Sequence, residues 1–261
     1  MPARSRSLLG LFATMLTVLS LSTVPAHADF MTGFEPTPAI PAYSLGNLAG
    51  QNGWSVFGPG VVTVENFLVK TGTQAVFVDG GVTATSQSGP YHTHSAGPVV
   101  NLSADIYLAS SSVETSWQFA ALNFFPPYPF DGGIDVNAGT NTIQAITAGM
   151  PVIGTFTRDQ WNHVDILLNF TTQLFGISIN GSTLASNLPF CEAEFACTST
   201  GTVASYSSGF FDTFGGVTGS NDLGIIDNYA VTTTPEPTSL LLFGSVLALS
   251  AKRFLARRAK S

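Results

Sequence analysis

Hydrophobic and polar residues alternate along several short segments of this 261-residue chain. From Val100 to Leu108 every second residue is apolar, and Val164 to Phe170 repeats the pattern. An alternation of period two places the apolar side chains on one face of a β-strand and the polar ones on the other. Both segments are therefore predicted to be half-buried strands.

A hairpin is predicted directly after the second of these strands. Phe175, Ile177 and Ile179 lead into Asn180-Gly181, the dipeptide favoured in a two-residue type I′ turn, and Leu184 begins the return strand. Because more than nine strands without helical crossovers suit two packed sheets, we expect an all-β fold, an antiparallel two-sheet β-sandwich. The remaining strands are predicted at residues 61–69, 74–79, 117–125, 142–147, 152–156 and 223–232.

The N-terminus has the three parts of a secretory signal peptide. Arg4 and Arg6 supply the positive region, Leu8 to Leu21 form an apolar segment too short to span a membrane comfortably, and Ala26-His27-Ala28 is a small-x-small cleavage site. We therefore expect residues 1–28 to form a signal helix that signal peptidase removes between Ala28 and Asp29.

The C-terminus, residues 235–261, carries a second processing pattern. Pro235-Glu236-Pro237 precedes an apolar run that ends at Ala251, and five basic residues follow. A helix over this run would span about 21 Å, against about 30 Å of bilayer hydrocarbon, so it is a marginal anchor. Since cationic ends stay in the cytoplasm, the body of the protein is expected outside the inner membrane. The basic residues are Lys252, Arg253, Arg257, Arg258 and Lys260.

This order of tripeptide, short hydrophobic helix and basic tail resembles the PEP-CTERM sorting signal of Gram-negative bacteria that make exopolysaccharide. The resemblance implies that an exosortase, a membrane protease or transpeptidase, cuts near Pro235, Glu236 and Pro237, which are then substrate positions. It also implies transient inner-membrane anchoring and a final place at the cell surface or in the extracellular matrix. An ordinary C-terminal anchor behind a proline-rich linker is the alternative.

Charge distinguishes the body, residues 29–234, from its two ends. The body contains fifteen Asp and Glu against two basic residues, Lys70 and Arg158, which gives a formal charge of −13. This charge argues against nucleic acid and anionic lipid as partners of the body, because phosphate binding needs clustered Lys and Arg. The length suits one large β-domain.

A second resemblance covers most of this body. The run Gln160-Trp161-Asn162-His163-Val164-Asp165-Ile166 and the Asn-Gly turn after it are similar to a strand and hairpin of laminin-G-like and concanavalin-A-like jelly-roll domains, as are the segments Gly50–Trp54 and Asp222–Asn228. The resemblance implies a sheet that binds sugars or protein ligands, with exopolysaccharide as a candidate partner. Some members of this family hydrolyse glycans.

Sequence motifs of catalysis do not support an enzyme. Retaining glycosidases need two carboxylates about 5 Å apart, and the Glu-x-Asp-x-x-Glu pattern that supplies them on this fold does not occur. Nucleophile-elbow, zinc-protease, P-loop and dinucleotide-binding motifs do not occur either. We expect a non-catalytic structural or carbohydrate-associated protein, with a glycan-active hydrolase or a protein-binding adhesion module as alternatives.

The two cysteines, Cys191 and Cys197, are predicted to form one structural disulfide, as expected in an exported chain. A reactive-thiol pair is less favoured because the Cys-x-x-Cys spacing is absent.

Metal binding has only weak candidates, so no cofactor is expected. His92 and His94 would share one face of a strand, but the Gly-Pro pairs around them favour an exposed loop tip. Asp222 and Asp227 offer oxygen ligands for calcium without the fixed spacing of a calcium loop. Trp54 and Tyr128 are candidate ligand-binding rings, because flat aromatic rings cover sugar faces.

Overall fold

Sixteen β-strands build the part of the chain that this computed structural model describes, which is residues 27–80, 87–95, 97–110, 116–123, 130–190, 205–213 and 223–234. These residues contain no helix. Ala28–Thr233 form one compact unit. The all-β prediction is confirmed, and the predicted signal helix and C-terminal helix lie outside the described residues.

The larger sheet has nine strands. They are β1 (His27–Thr32), β2 (Gly46–Asn47), β4 (Val61–Glu65), β5 (Ala75–Asp79), β7 (Val99–Leu108), β12 (Trp161–Asn169), β13 (Leu174–Ile179), β14 (Ser182–Pro189) and β16 (Leu223–Thr234). Their order is β14-β13-β12-β7-β16-β5-β4-β2, and β1 pairs with β16. The last described strand, β16, thus lies in the interior of this sheet.

The smaller sheet has seven strands. They are β3 (Ser55–Phe57), β6 (Gly89–Ser95), β8 (Ser116–Leu122), β9 (Phe130–Asn137), β10 (Thr142–Ala145), β11 (Val152–Thr155) and β15 (Ser205–Thr213). Their order is β11-β10-β9-β8-β15-β6-β3. Pairing is antiparallel between neighbours in both sheets, for example from Trp161↔Tyr107 to Asn169↔Val99 between β12 and β7.

The hydrophobic core lies between the two sheets, as the alternation predicts. Leu102 and Ile106 of β7 and Ile166 of β12 are buried, and they pack in one cluster with Trp117 and Phe119 of β8. The sheets approach closely at Gly224, where a Cβ atom would lie 2.5 Å from Trp117 Cζ3 and 2.6 Å from Phe210 Cε1. Glycine therefore permits the aromatic rings of the smaller sheet to lie directly against β16.

The hairpin after β13 is confirmed in detail. Asn180 and Gly181 both have positive φ values, 51° and 76°, as a type I′ turn requires. Ile179 pairs with Ser182, so the return strand begins two residues before Leu184.

Four strands of the smaller sheet, β3, β6, β9 and β15, are not evident in the sequence pattern. Glycine interrupts the alternation of β9 at Gly132 and Gly133, which lie close to neighbouring side chains: a Cβ on Gly133 would be 2.5 Å from Ala120 Cβ. The exposed loop tip expected at residues 89–95 is wrong, because these residues form β6.

The first and last described strands lie close to the predicted limits of the body. β1 begins at His27 and so includes the predicted cleavage point between Ala28 and Asp29, and β16 ends at Thr234, directly before Pro235. Among the described residues, no helix is long and apolar enough to cross a bilayer. The tripeptide at 235–237 lies outside the described residues.

Candidate functional site

Trp54, one of the two candidate sugar-binding rings, is a core residue. It is 1% exposed, and its Nε1 donates a hydrogen bond of 3.0 Å to the Tyr43 hydroxyl. Its ring contacts those of Phe34 and Tyr229, with centroids 5.5 and 5.0 Å away. The prediction of a surface platform at Trp54 is therefore wrong, because the ring fills the space between the sheets.

His92 and His94 project from β6 into the same space. His94 Nε2 lies 2.8 Å from the hydroxyl of Tyr229 on the opposite sheet, and His92 Nε2 lies 3.1 Å from the carbonyl oxygen of Asn52. The Phe30 ring stacks on His92 at a centroid distance of 4.1 Å. The two imidazoles thus belong to an inter-sheet aromatic cluster.

Burial determines the protonation of this cluster. Burial, and to a lesser extent the neighbouring His92, lowers the pKa of His94 to about 3. Burial also lowers the pKa of His92. Both rings are therefore neutral at physiological pH. Within the described residues no group of three or more His, Cys, Asp or Glu side chains could hold a metal ion, so the third ligand for a histidine metal site is missing there.

Asp227 has a structural role at the point where β16 changes partners from β5 to β1. Its Oδ2 accepts hydrogen bonds from the backbone N–H groups of Lys70 and Thr71, and its Oδ1 accepts one from Asn228. These bonds attach the loop after β4 to β16. Asp222, the other calcium candidate, lies outside the described residues, as do Tyr128, Cys191 and Cys197.

An accessible aromatic pair lies on the outer face of the larger sheet. The register of β12 and β7 places Trp161 directly opposite Tyr107, and their ring centroids are 5.7 Å apart. Ile225 of β16 and Phe77 of β5 are paired further along the same sheet, and Phe67 packs on Phe77 at 5.3 Å. Aromatic and apolar side chains thus occur on this face from β12 to β5.

A polar network lies beside the aromatic pair, two residue pairs further along β12 and β7 and on the same face. His163 Nδ1 lies 3.1 Å from Asp105 Oδ1, and His163 Nε2 lies 3.5 Å from Asp165 Oδ2. Asn228 Nδ2 donates to the other oxygen of Asp105 at 2.7 Å, and Asn101 Nδ2 donates to Asp165 at 3.1 Å. The histidine side chain is 43% exposed and that of Asp165 is 31% exposed, so the network is open to a ligand.

The outer face of the smaller sheet is less accessible. Gln118 Nε2 donates to Asp135 Oδ2 at 3.0 Å, and each residue is only 7% exposed. Burial raises the pKa of Asp135. We therefore place the candidate site, defined as Trp161, Tyr107, His163, Asp105 and Asp165, on the larger sheet.

The sequence pattern predicts the strand face on which each of these residues lies, but it does not predict that β12 and β7 are neighbours. Alternation places Trp161, His163 and Asp165 on one face of β12, and Asp105 and Tyr107 on one face of β7. The register that joins the two sets depends on how strands distant in sequence pair, which the alternation does not specify.

The fold has relatives among solved structures. No family model and no curated protein matches the chain. An endo-β-1,4-glucuronan lyase from the fungus Trichoderma reesei superposes with a TM-score of 0.53 at 14% identity, over 80% of this chain and 96% of the lyase. The cellulose-induced protein Cip1 gives 0.53 at 13% identity, over 79% and 98%.

A sialidase also gives a TM-score of 0.53, at 11% identity over 72% of this chain, which spans 17% of the sialidase's length. At these identities the likeness shows a shared fold. The two-sheet antiparallel sandwich of this chain is thus a fold found in other solved proteins.

Proposed function

We propose that this protein is an exported, non-catalytic β-sandwich of the jelly-roll type, which holds carbohydrate on the outer face of its larger sheet. The observation that carries the proposal is the Trp161–Tyr107 pair beside an open network of amide, imidazole and carboxylate groups. Flat aromatic rings cover the apolar faces of sugars at low entropic cost, and neighbouring polar groups exchange hydrogen bonds with hydroxyls.

The fold likeness supports this assignment because the glucuronan lyase acts on a polysaccharide, as its name states. The absence of a paired-carboxylate motif in the sequence favours binding over hydrolysis. Export and processing by an exosortase are proposed from the two terminal signals. In this scheme signal peptidase cuts after Ala28, and the protein reaches the cell surface or matrix after cleavage near Pro235–Pro237.

Binding of the full chain to the host's exopolysaccharide, measured by affinity electrophoresis, tests the proposal. Trp161→Ala and Tyr107→Ala should each weaken binding about ten-fold or more, the equivalent of about 1.4 kcal/mol, as for an anchor residue at a binding surface. Phe57→Ala is the matched control, since Phe57 is 44% exposed on β3 of the other sheet. Unchanged binding by both site variants would contradict the proposal.

Two further results would replace the proposed function. Release of reducing sugar by the wild-type protein would show a hydrolase, and a stoichiometric protein partner recovered without polysaccharide would show an adhesion module. Processing has its own test: Glu236→Ala should leave uncleaved protein in the inner membrane, and normal release of that variant would refute the exosortase assignment.

A further inference from the structure

The charge of the candidate site restricts the class of sugar that it can hold. Strands β4, β5, β7, β12, β13 and β16 contain no Lys or Arg. The two basic residues of the body lie outside these strands, and Arg158 donates to the carbonyl oxygens of Ala138 and Ala109 at 2.7 and 2.9 Å. None of these six strands therefore offers a Lys or Arg side chain to a polymer of uronic acids.

Carboxylates instead lie on both sides of the aromatic pair. On one side Asp159 accepts hydrogen bonds from the Tyr107 hydroxyl at 3.3 Å and from the Ser110 N–H at 2.9 Å. On the other side Asp105 and Asp165 lie on either side of His163. A sugar ring stacked on Trp161 and Tyr107 would have acidic groups at both of its edges.

The hydrogen bonds of Asp159 keep its charge in place. The pKa of Asp159 lies below its usual range, and the hydrogen bonds from Ser110 are the largest cause of this lowering. The neighbouring Arg158 acts in the same direction and offsets part of the negative field of Asp159. Because Arg158 offsets part of the charge of Asp159, Asp165 is the better residue to test.

We infer that the candidate site recognises a polysaccharide with free, protonated amino groups, such as a 2-amino-2-deoxyhexose polymer, whose rings stack on Trp161 and Tyr107 while its ammonium groups face Asp165 and Asp159. This inference rests on the proposed carbohydrate-binding function and adds the charge of the ligand. Its basis is charge complementarity on a surface that also carries an aromatic platform.

Calorimetric titration of the full chain with four hexasaccharides tests the inference. The probes are a fully deacetylated chitosan hexamer, its fully N-acetylated counterpart, cellohexaose and an oligoglucuronate. The chitosan hexamer should have the lowest Kd, by about 2- to 25-fold, because each exposed ion pair contributes about 1.5- to 5-fold. This advantage should disappear at 1 M salt, where the Debye length falls to about 3 Å.

Matched variants separate recognition from adsorption to an acidic protein. Asp165→Asn should weaken chitosan binding about 1.5- to 5-fold more than it weakens cellohexaose binding. Glu65→Gln makes the same change of charge on β4, three strands away from β7 at about 14 Å, which exceeds the Debye length of about 8 Å at physiological salt. It should bind as the wild type does.

The outcomes distinguish this inference from the function on which it rests. Equal Kd values for the deacetylated, acetylated and neutral hexamers would overturn amino-sugar recognition and leave carbohydrate binding in place, as would tighter binding of the oligoglucuronate. Chitosan binding that neither Trp161→Ala nor Asp165→Asn weakens would show adsorption only and overturn the site. If none of the four sugars binds, amino-sugar recognition is overturned, and binding to the host's exopolysaccharide decides the carbohydrate-binding proposal.

Discussion

The buried histidine of the inter-sheet aromatic cluster leads to a specific pH dependence of stability. The environment of His94 lowers its pKa from 6.5 to about 3, whereas the unfolded chain takes up a proton near pH 6.5. Between pH 3 and pH 6.5 the imidazole is protonated in the unfolded state and neutral in the folded state. Stability contributed by this group is therefore present above pH 6.5 and is lost as the pH falls.

The magnitude follows from the size of the shift. One proton changes the free energy of unfolding by about 1.4 kcal/mol per pH unit, so His94 should cost about 3 kcal/mol between pH 6.5 and 4.5. The lowered pKa of His92 acts with the same sign. Asp131 acts in the opposite direction, because burial raises its pKa to about 7 and the folded state binds its proton first.

Comparison of the wild type with His94→Gln isolates the contribution of the His94 imidazole to the pH dependence of stability. Glutamine does not titrate and retains a polar group for the Tyr229 hydroxyl, so the stability difference between wild type and variant should shrink by about 3 kcal/mol from pH 6.5 to 4.5. Urea unfolding followed by tryptophan fluorescence at each pH measures the free energy of unfolding of both proteins. Tyr229→Phe is the control: it removes the partner at 2.8 Å and leaves the imidazole, so its profile should keep the wild-type slope. A pH-independent difference for His94→Gln would refute the reasoning.

Two further substitutions test buried positions. Asp131 Oδ2 is buried without a hydrogen-bond partner, and burial raises the pKa of this carboxyl to about 7. Asp131→Asn should therefore raise the free energy of unfolding at pH 8 by up to about 4 kcal/mol, and this gain should shrink towards pH 5. A loss of stability at pH 8, measured by urea titration, would contradict this prediction. Gly224→Ala places a methyl group against Trp117 and Phe210 and should cost about 1–3 kcal/mol by calorimetry. Gly176→Ala is the control, because its Cβ would be 3.4 Å from the nearest atom, and it should leave the free energy of unfolding nearly unchanged. An equal loss of stability in both variants would exclude overpacking as the cause.

Strands with strict alternation could be predicted from the sequence because one of their faces is buried. Val100 to Leu108 and Val164 to Ile179 fall on the expected faces, and the Asn180-Gly181 turn has the expected positive φ values. β9 and β15 could not be predicted in this way, since Gly132, Gly133 and Gly209 remove the apolar side chains that would mark a period of two.

The candidate site could be predicted only in its parts. His163 next to Trp161 is visible along β12, but the partners Asp105 and Tyr107 are more than fifty residues earlier in the chain. Only strand register brings these groups together. The sequence also could not show that Trp54, His92 and His94 point inwards, because Gly-Pro pairs beside the histidines are typical of loops.

The position of β16 has a consequence for when this protein can fold. β16, which is synthesised after the other described strands, lies between β7 and β5, and it also pairs with β1, the earliest of them. Until residue 234 has emerged, β7 and β5 each present an unpaired edge, and the larger sheet remains in two halves. The larger sheet therefore cannot form until β16 has been synthesised, and a nascent chain that stops short of this strand is exposed to edge-to-edge aggregation.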